Sequence, residues 1–534
     1  MGVRARKFIA MKASQVVGAA LASLVGLCAW SREPQLAGLR SYSLPGYTLL
    51  APDPATAQLV ATHAATIERV LAVVLNRQPA GAATPTTVIM IRGADLERYV
   101  GNESRAGTEV LPRSFHNYLL LRSDGSRDLL RAAVYHQFAH LFLHTQFHDE
   151  FPWWFDEGLA LFMEATRIEG SEAVLGNQRF GFRGDKRTPD PLDQFKEEER
   201  SIDPNPNSQG RGVPEWTALD TMLRYREGLQ PGETRDSTYL FRRQAWVMVH
   251  RALVGEPEFG PQVSAYLQAI NQFVPIEEAV PRSFGMSTPE LDKNLRAYAM
   301  REKFKTMRKA FNAPAPVALG AGQPVSDSEA LQTFASLLLD DGTSRNVEEA
   351  VAAAANLAPD SAEVNALRMR LAALKGDGVT LERLLAALET RSTDVAAARG
   401  AGLALFEWIA FEQARKPDSA AGVPRVHERA LHLLDRALQA KPDDAEAAWA
   451  YAGLAAGMNT SLDTALERLR LASARSPQNA DLAMAMAHVY EARNEPAKML
   501  EQLENTARFS RSIEQRRWAV ERIDAVKAAQ QKTP

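Results

Sequence analysis

The sequence predicts an α+β domain, a small mixed sheet with a helical subdomain, followed by an all-α array of helical repeats. Three observations carry this. Between residues 41 and 125, short β-branched and apolar runs alternate with a helical pattern. From 127 to 310 amphipathic helical periodicity dominates, and beyond a proline-bearing stretch at 313–326 small and apolar residues recur at a fixed interval.

The N-terminal segment comes first in the chain. Arg4, Arg6, Lys7 and Lys12 precede an apolar run from Val16 to Trp30, and Ala29-Trp30-Ser31 offers a small-x-small cleavage site. Residues 1–31 are therefore expected to be a signal peptide, and the protein to be exported, periplasmic or extracellular. The alternative is an uncleaved membrane anchor, although the run is shorter than the roughly 20 residues that span a bilayer. Met11 followed by Lys12 would start a more compact form of the same signal, so Met1 and Met11 are both candidate starts. Cys28, the only cysteine, lies inside the signal, with Leu27 before it where lipidation favours a small residue. A mature chain without cysteine has no disulfides or thiolate ligands, so any metal must rest on His, Asp or Glu.

Composition excludes some partners. The 534 residues are 46% hydrophobic and 24% charged, with a formal net charge of -3, which is ordinary globular material. No basic run offers a surface for nucleic acid.

In the first domain, YTLL (47–50), the helical stretch 55–76, TTVIMI (86–91) and FHNYLLL (115–121) read as strand, helix, strand and strand. Long helices follow, interrupted by the polar stretch 184–212, which lacks apolar periodicity and is expected to be a long exposed loop. The segment APAPVALGAGQPVS, 313–326, reads as a linker.

Beyond it, Ala430, Leu434, Ala437 and Pro442 recur as Ala465, Leu469, Ala472 and Pro477, a shift of 35 residues, and Val347, Val351, Ala354 and Pro359 fit the same offsets. Trp449 and Gly453 fall at the large and small packing positions of a first helix. This resembles the tetratricopeptide repeat, in which small residues let paired helices approach and proline ends the second helix. The resemblance places the repeats at 327–528 and implies a protein partner on them.

Chemistry concentrates in the segment RDLLRAAVYHQFAHLFLH. On a helix His136 and His140 lie one turn apart on one face, where both imidazoles reach a single ion. A zinc ion needs at least a third protein ligand. The next segment, FPWWFDEGLALFMEA, opens with Pro152, suited to a first helical turn. It presents Asp156 and Glu157 beside Gly158, where a second backbone can approach closely. A carboxylate from this helix would complete a two-His, one-carboxylate site.

HxxxH, sixteen residues, then a glutamate within WFDEGLA resembles the gluzincin (peptidase MA-like) zinc metallopeptidases. In these, HExxH supplies two ligands and a glutamate in W-x-x-E-G-x-A the third. The resemblance covers residues 35–312 and implies a zincin-like α+β fold, one zinc ion, and His136, His140 and Glu157 as its ligands. Iron or nickel would satisfy the same ligand types. It also implies that FHNYLLL is the edge strand along which an extended peptide lies, and that Tyr239 stabilises an oxyanion.

Gln137 departs from the family pattern. Where these enzymes carry a glutamate that takes a proton from the attacking water and passes it to the leaving amine, an amide keeps the shape and has no useful basicity. Asp156, Asp149, Glu150 and Glu164 are the nearby carboxylates from which a substitute base would come. His144 and His148 continue the four-residue spacing; they are expected on the surface near the helix end, with a minor His140–His144 metal pairing as the alternative.

Three readings stand. The chain is a zinc-binding pseudopeptidase whose cleft holds a peptide or protein; or an active zinc metallopeptidase with a substitute base; or a repeat-based interaction scaffold. A membrane contact is expected only if the signal is uncleaved.

Overall fold

The computed structural model describes residues 36–531 apart from 78–83, 101–107, 112–114, 148–150, 178–215, 225–234, 302, 316, 342–345, 390–393, 416–422 and 511. Residues 1–31 with Cys28, expected to be a signal peptide, and the stretch 184–212 lie outside the described residues.

The first part runs β1 (Arg40–Leu44), β2 (Tyr47–Ala51), α1 (Pro54–Val74), β3 (Thr86–Ile91), α2 (Gly93–Tyr99), β4 (Thr108–Leu111) and β5 (Asn117–Arg122). Helix α1 begins where Asp53 accepts the Thr56 N–H at 2.8 Å and Pro54 takes the first helical position. It is long and apolar enough to cross a membrane by length and composition, yet Ala57, Val60, Ala64, Ile67 and Leu71 pack into the core beside the sheet.

The helical part comprises α3 (Arg127–Gln146), α4 (Trp153–Glu164), β6 (Arg167–Glu169), β7 (Glu172–Leu175), α5 (Leu219–Arg224), α6 (Arg235–His250), α7 (Phe259–Asn271), α8 (Ile276–Phe284), α9 (Thr288–Ala299) and β8 (Met307–Ala310). Strands β6, β7 and β8 form a small antiparallel sheet of their own.

The segment expected to be a linker runs along the main sheet. Its residues Gln323–Pro324 form β9, antiparallel to β1, and Arg40 donates to the carbonyls of Ala321 and Gly322 at 2.6 and 2.8 Å. Gly322 has φ +69, and a Cβ there would meet the Tyr42 ring at 2.6 Å, so only glycine fits this close approach.

The main sheet has the order β4-β5-β3-β2-β1-β9. Strands β2, β3 and β5 are parallel, and β4 runs antiparallel to β5. This corrects one expectation: FHNYLLL supplies β5, an interior strand, and among the described residues the edge on that side is the short β4. The physical reason is in the run itself. Consecutive apolar residues in a strand require both faces to be covered. Leu119 and Leu121 face the cluster with α1 and α3, while Tyr118 and Leu120 face the other side.

That other side is covered by the repeat region. Here α10 (Asp327–Asp341), α11 (Val347–Leu357), α12 (Ala362–Lys375), α13 (Gly378–Glu389), α14 (Val395–Arg415), α15 (Val423–Ala440), α16 (Ala445–Met458), α17 (Leu462–Arg475), α18 (Ala480–Ala492), α19 (Pro496–Phe509) and α20 (Ile513–Gln531) follow in sequence. Leu50, Ile89, Ile91 and Leu120 of the sheet share a core with Leu331, Phe334 and Leu338 of α10, Val351 of α11 and Val364 of α12. The second and third residues of each series are all buried, Val351 and Ala354 on α11, Leu434 and Ala437 on α15, Leu469 and Ala472 on α17; of the first residues Ala430 and Ala465 are buried and Val347 is half-buried. Each of Pro359, Pro442 and Pro477 stands just beyond its helix. First helices α10, α12, α14, α16 and α18 also contact one another in turn, forming a continuous face.

Candidate metal centre

Helix α3 starts at Ser126, whose hydroxyl accepts the Leu129 N–H at 3.2 Å. It is buried nearly all round, by Val134, Tyr135, Phe138, Ala139, Leu141 and Phe142 among others, so its two histidines are held inside the domain. Helix α4 packs against it, with Pro152 as N-cap just ahead of Trp153. The other side of α4 meets α6 at Gly158, where a Cβ would stand 2.6 Å from the Ala245 carbonyl oxygen. Glycine at 158 thus permits the close backbone approach expected there, and the approaching element is α6.

The expected ligands converge. His136 Nε2 and His140 Nε2 are 3.2 Å apart, and Glu157 Oε2 lies 3.7 Å from the first and 3.4 Å from the second. Two donors each about 2.0–2.1 Å from a tetrahedral ion are separated by about 3.3–3.4 Å, so this triangle is the size of one face of a zinc coordination sphere.

Both rings are held from behind. His136 Nδ1 donates to Glu164 Oε2 at 3.0 Å, and His140 Nδ1 donates to Asp156 Oδ1 at 2.7 Å. A carboxylate only accepts, so each Nδ1 carries a proton, and a cation that displaced any proton held between the two Nε2 atoms would meet a lone pair from each, the usual arrangement behind a metal-ligating histidine. Glu157 divides its two oxygens: Oε2 faces the imidazoles and Oε1 meets Arg242 Nε from α6 at 2.9 Å.

Charge points the same way. Burial would pull the His140 imidazole down, but Asp156 and then Glu157 override it and hold the group at about 10 when no cation is present. Burial likewise pushes Glu157 and Asp156 up, and their neighbours prevail: Arg242 first holds Glu157 far below the carboxylate range, and the imidazole of His140 first does so for Asp156. The site asks for positive charge.

His140, His144 and Asp156 form a second group with ligand-type atoms close together. Its separations are 2.7 Å from Asp156 to His140 and 2.9 Å to His144 Nε2, which are hydrogen bonds and too short for two ligands of a tetrahedral ion. His144, expected on the surface near the helix end, is in the last turn of α3 with its side chain 26% exposed and bonded to Asp156.

Other candidates fall differently. Asp156 and Glu164, possible substitute bases by sequence, both accept from ring nitrogens on the outer side of the histidines. Gln137 is buried on the same turn of α3. Asp149, Glu150 and His148 lie outside the described residues, and so does the side chain of Tyr239, a residue of α6. Sequence reasoning missed Arg242, which carries no motif, and the supporting role of Glu164. Glu164 had a signal: it lies seven residues beyond Glu157, two turns along the same face of α4.

Comparison with protein-family models and with curated proteins finds no match for this chain.

Proposed function

We propose that the chain is an exported, gluzincin-like zinc-binding pseudopeptidase with tetratricopeptide-type repeats, which captures an extended peptide or protein segment and does not cut it. The observation that carries this is the convergence of His136 Nε2, His140 Nε2 and Glu157 Oε2, with a carboxylate behind each ring.

These three residues would hold the ion, Glu164 and Asp156 would keep the rings in the correct tautomer, and Arg242 would anchor the second oxygen of Glu157. A zinc ion bound there supplies Lewis-acid polarisation and lowers the pKa of water to about 7. Turnover further needs a side chain that accepts a proton at the reacting centre and returns it to the leaving amine. Gln137 stands in that place in the motif, and its amide cannot do this. Asp156 and Glu164 are engaged with the imidazole Nδ1–H groups, which counts against them as substitutes. Export rests on the basic and apolar pattern of residues 1–31.

The test is a generic peptide-cleavage assay, with metal quantification, on wild type and Gln137→Glu in parallel. Wild type is expected to hold zinc and cleave at background rate, and Gln137→Glu to gain about 10²- to 10⁴-fold, the usual worth of general acid–base assistance. Cleavage by wild type that Glu157→Ala abolishes would overturn the pseudopeptidase reading.

A further inference from the structure

The two carboxylate oxygens of Glu157 have unequal surroundings. Oε2 stands 3.4 Å from His140 Nε2 and 3.7 Å from His136 Nε2, where a cation would sit. Oε1 is turned to α6, with Arg242 Nε 2.9 Å away. The Glu157 side chain is 4% exposed, and among the described residues Oε1 accepts no hydrogen bond. A buried carboxylate oxygen needs compensation, so the guanidinium charge is what keeps Oε1 where it is.

Helical spacing delivers that charge. Arg242, Ala245 and Val249 fall at i, i+3 and i+7 on α6, one face of the helix. Ala245 and Val249 are the residues that crowd Gly158, next to Glu157, so the face of α6 that packs on α4 is the face that carries the arginine. A second contact fixes the same alignment: the Phe241 ring stacks on that of Trp153 with centroids 4.1 Å apart, and Trp153 lies one turn before Glu157. A slide of either helix that parted Arg242 from Oε1 would break both contacts.

We propose that Arg242 is a positioning residue that restrains Glu157 to coordination through one oxygen, and so reserves a place on the bound cation for a ligand from outside the chain. Two imidazoles and one carboxylate oxygen leave a fourth place in tetrahedral coordination, and a carboxylate offering both oxygens would fill it. Covalent geometry keeps Oε1 close to Oε2, and its pairing with Arg242 holds it back. The arrangement works against affinity, because a guanidinium beside a divalent cation repels it. The inference rests on the metal centre proposed above and adds what keeps that centre open: α6, a helix that supplies no ligand.

The test uses the full-length chain with cobalt(II) in place of zinc, because four-coordinate cobalt(II) absorbs visible light more strongly than five-coordinate cobalt(II). Arg242→Met keeps the length of the stem without the charge, and Arg242→Lys keeps the charge. Arg242→Met is expected to lose most of the visible intensity. It should need about tenfold more β-mercaptoethanol to develop a thiolate-to-cobalt band, since the place for an outside ligand is then open only part of the time. With one like charge fewer beside the cation, it should hold cobalt about tenfold more tightly against a chromophoric chelator. Arg242→Lys is expected to restore the wild-type spectrum and thiol affinity. Should Arg242→Met fail to fold, Arg242→Gln, whose neutral amide compensates a carboxylate oxygen less well, carries the same expectation.

Weak, five-coordinate absorption in wild type, or a wild-type spectrum and thiol affinity in a folded, cobalt-loaded Arg242→Met, would overturn the inference and leave the metal centre standing. So would a fall in cobalt affinity without a change of spectrum, the mark of a residue that only supports the fold. Wild type that takes up no cobalt would overturn the metal centre and the inference together.

Discussion

At the scale of single residues, the site depends on which nitrogen of each histidine carries the proton. Glu164 and Asp156 settle that question by accepting from Nδ1, leaving both Nε2 atoms for a cation. Their worth is measurable. Glu164→Gln keeps the volume and replaces a charged acceptor with a neutral one, so zinc affinity is expected to fall about 10- to 100-fold, read by competition with a chromophoric chelator. Affinity within twofold of wild type would mean that the carboxylate plays no part in orienting His136. The paired histidines and Glu157 were legible in the sequence, because a four-residue spacing on a helix and a glutamate in WFDEGLA are local patterns. Arg242 was not, since its meeting with Glu157 depends on how α6 crosses α4.

At the scale of elements, that crossing is the critical contact. Gly158 lets the α6 backbone come within reach, and Val249 and the Ala245 carbonyl occupy the space a methyl group would need. Gly158→Ala is expected to destabilise the fold by about 1–3 kcal/mol, seen as a lower thermal midpoint, and to weaken zinc binding by displacing Glu157. An unchanged midpoint would show that the crossing relaxes freely.

The end of α6 carries a second dependence. His250 is fully buried; its Nε2 donates to the Lys305 carbonyl at 3.0 Å, and its Nδ1 accepts from the Tyr298 hydroxyl at 2.8 Å. Burial pulls this imidazole from 6.5 down to about 4. The unfolded chain therefore takes up the proton first, so the stabilisation is complete above pH 6.5 and is lost as pH falls toward 4. His250→Gln retains a donor and an acceptor without titrating, and its thermal midpoint is expected to fall less steeply than wild type over that interval. Parallel curves would contradict this.

Which strands form was legible; their neighbours were less so. TTVIMI and FHNYLLL read as strands from their β-branched and apolar content; the continuous apolar run of FHNYLLL is what makes β5 interior, and β4, only TEVL, is too short to signal itself.

At the scale of the whole molecule, the chain is less divided than its sequence suggests. The proline-bearing segment at 313–326 has linker composition, yet it adds β9 to the sheet and leads into helices that complete the sheet's second core. The alternation of Val88 and Met90 with Ile89 and Ile91 in β3 shows that both faces need cover, but no local pattern says that α10–α12, well over two hundred residues later, supply it. The recurrent spacing was readable because it is local to each helix; in α13 Leu381, Leu385 and Leu388 keep the same offsets with larger side chains, and Thr393 stands where the others have proline. The His136, His140 and Glu157 cluster lies where α3, which packs against the sheet, meets α4, which packs against α6.

Elemental analysis of the purified full-length protein after reconstitution with zinc, set beside His136→Ala and Glu157→Ala, tests the central claim most directly. The account predicts about one equivalent of zinc per chain in wild type and almost none in either variant. Less than about half an equivalent in wild type, or the same content in all three proteins, would contradict it.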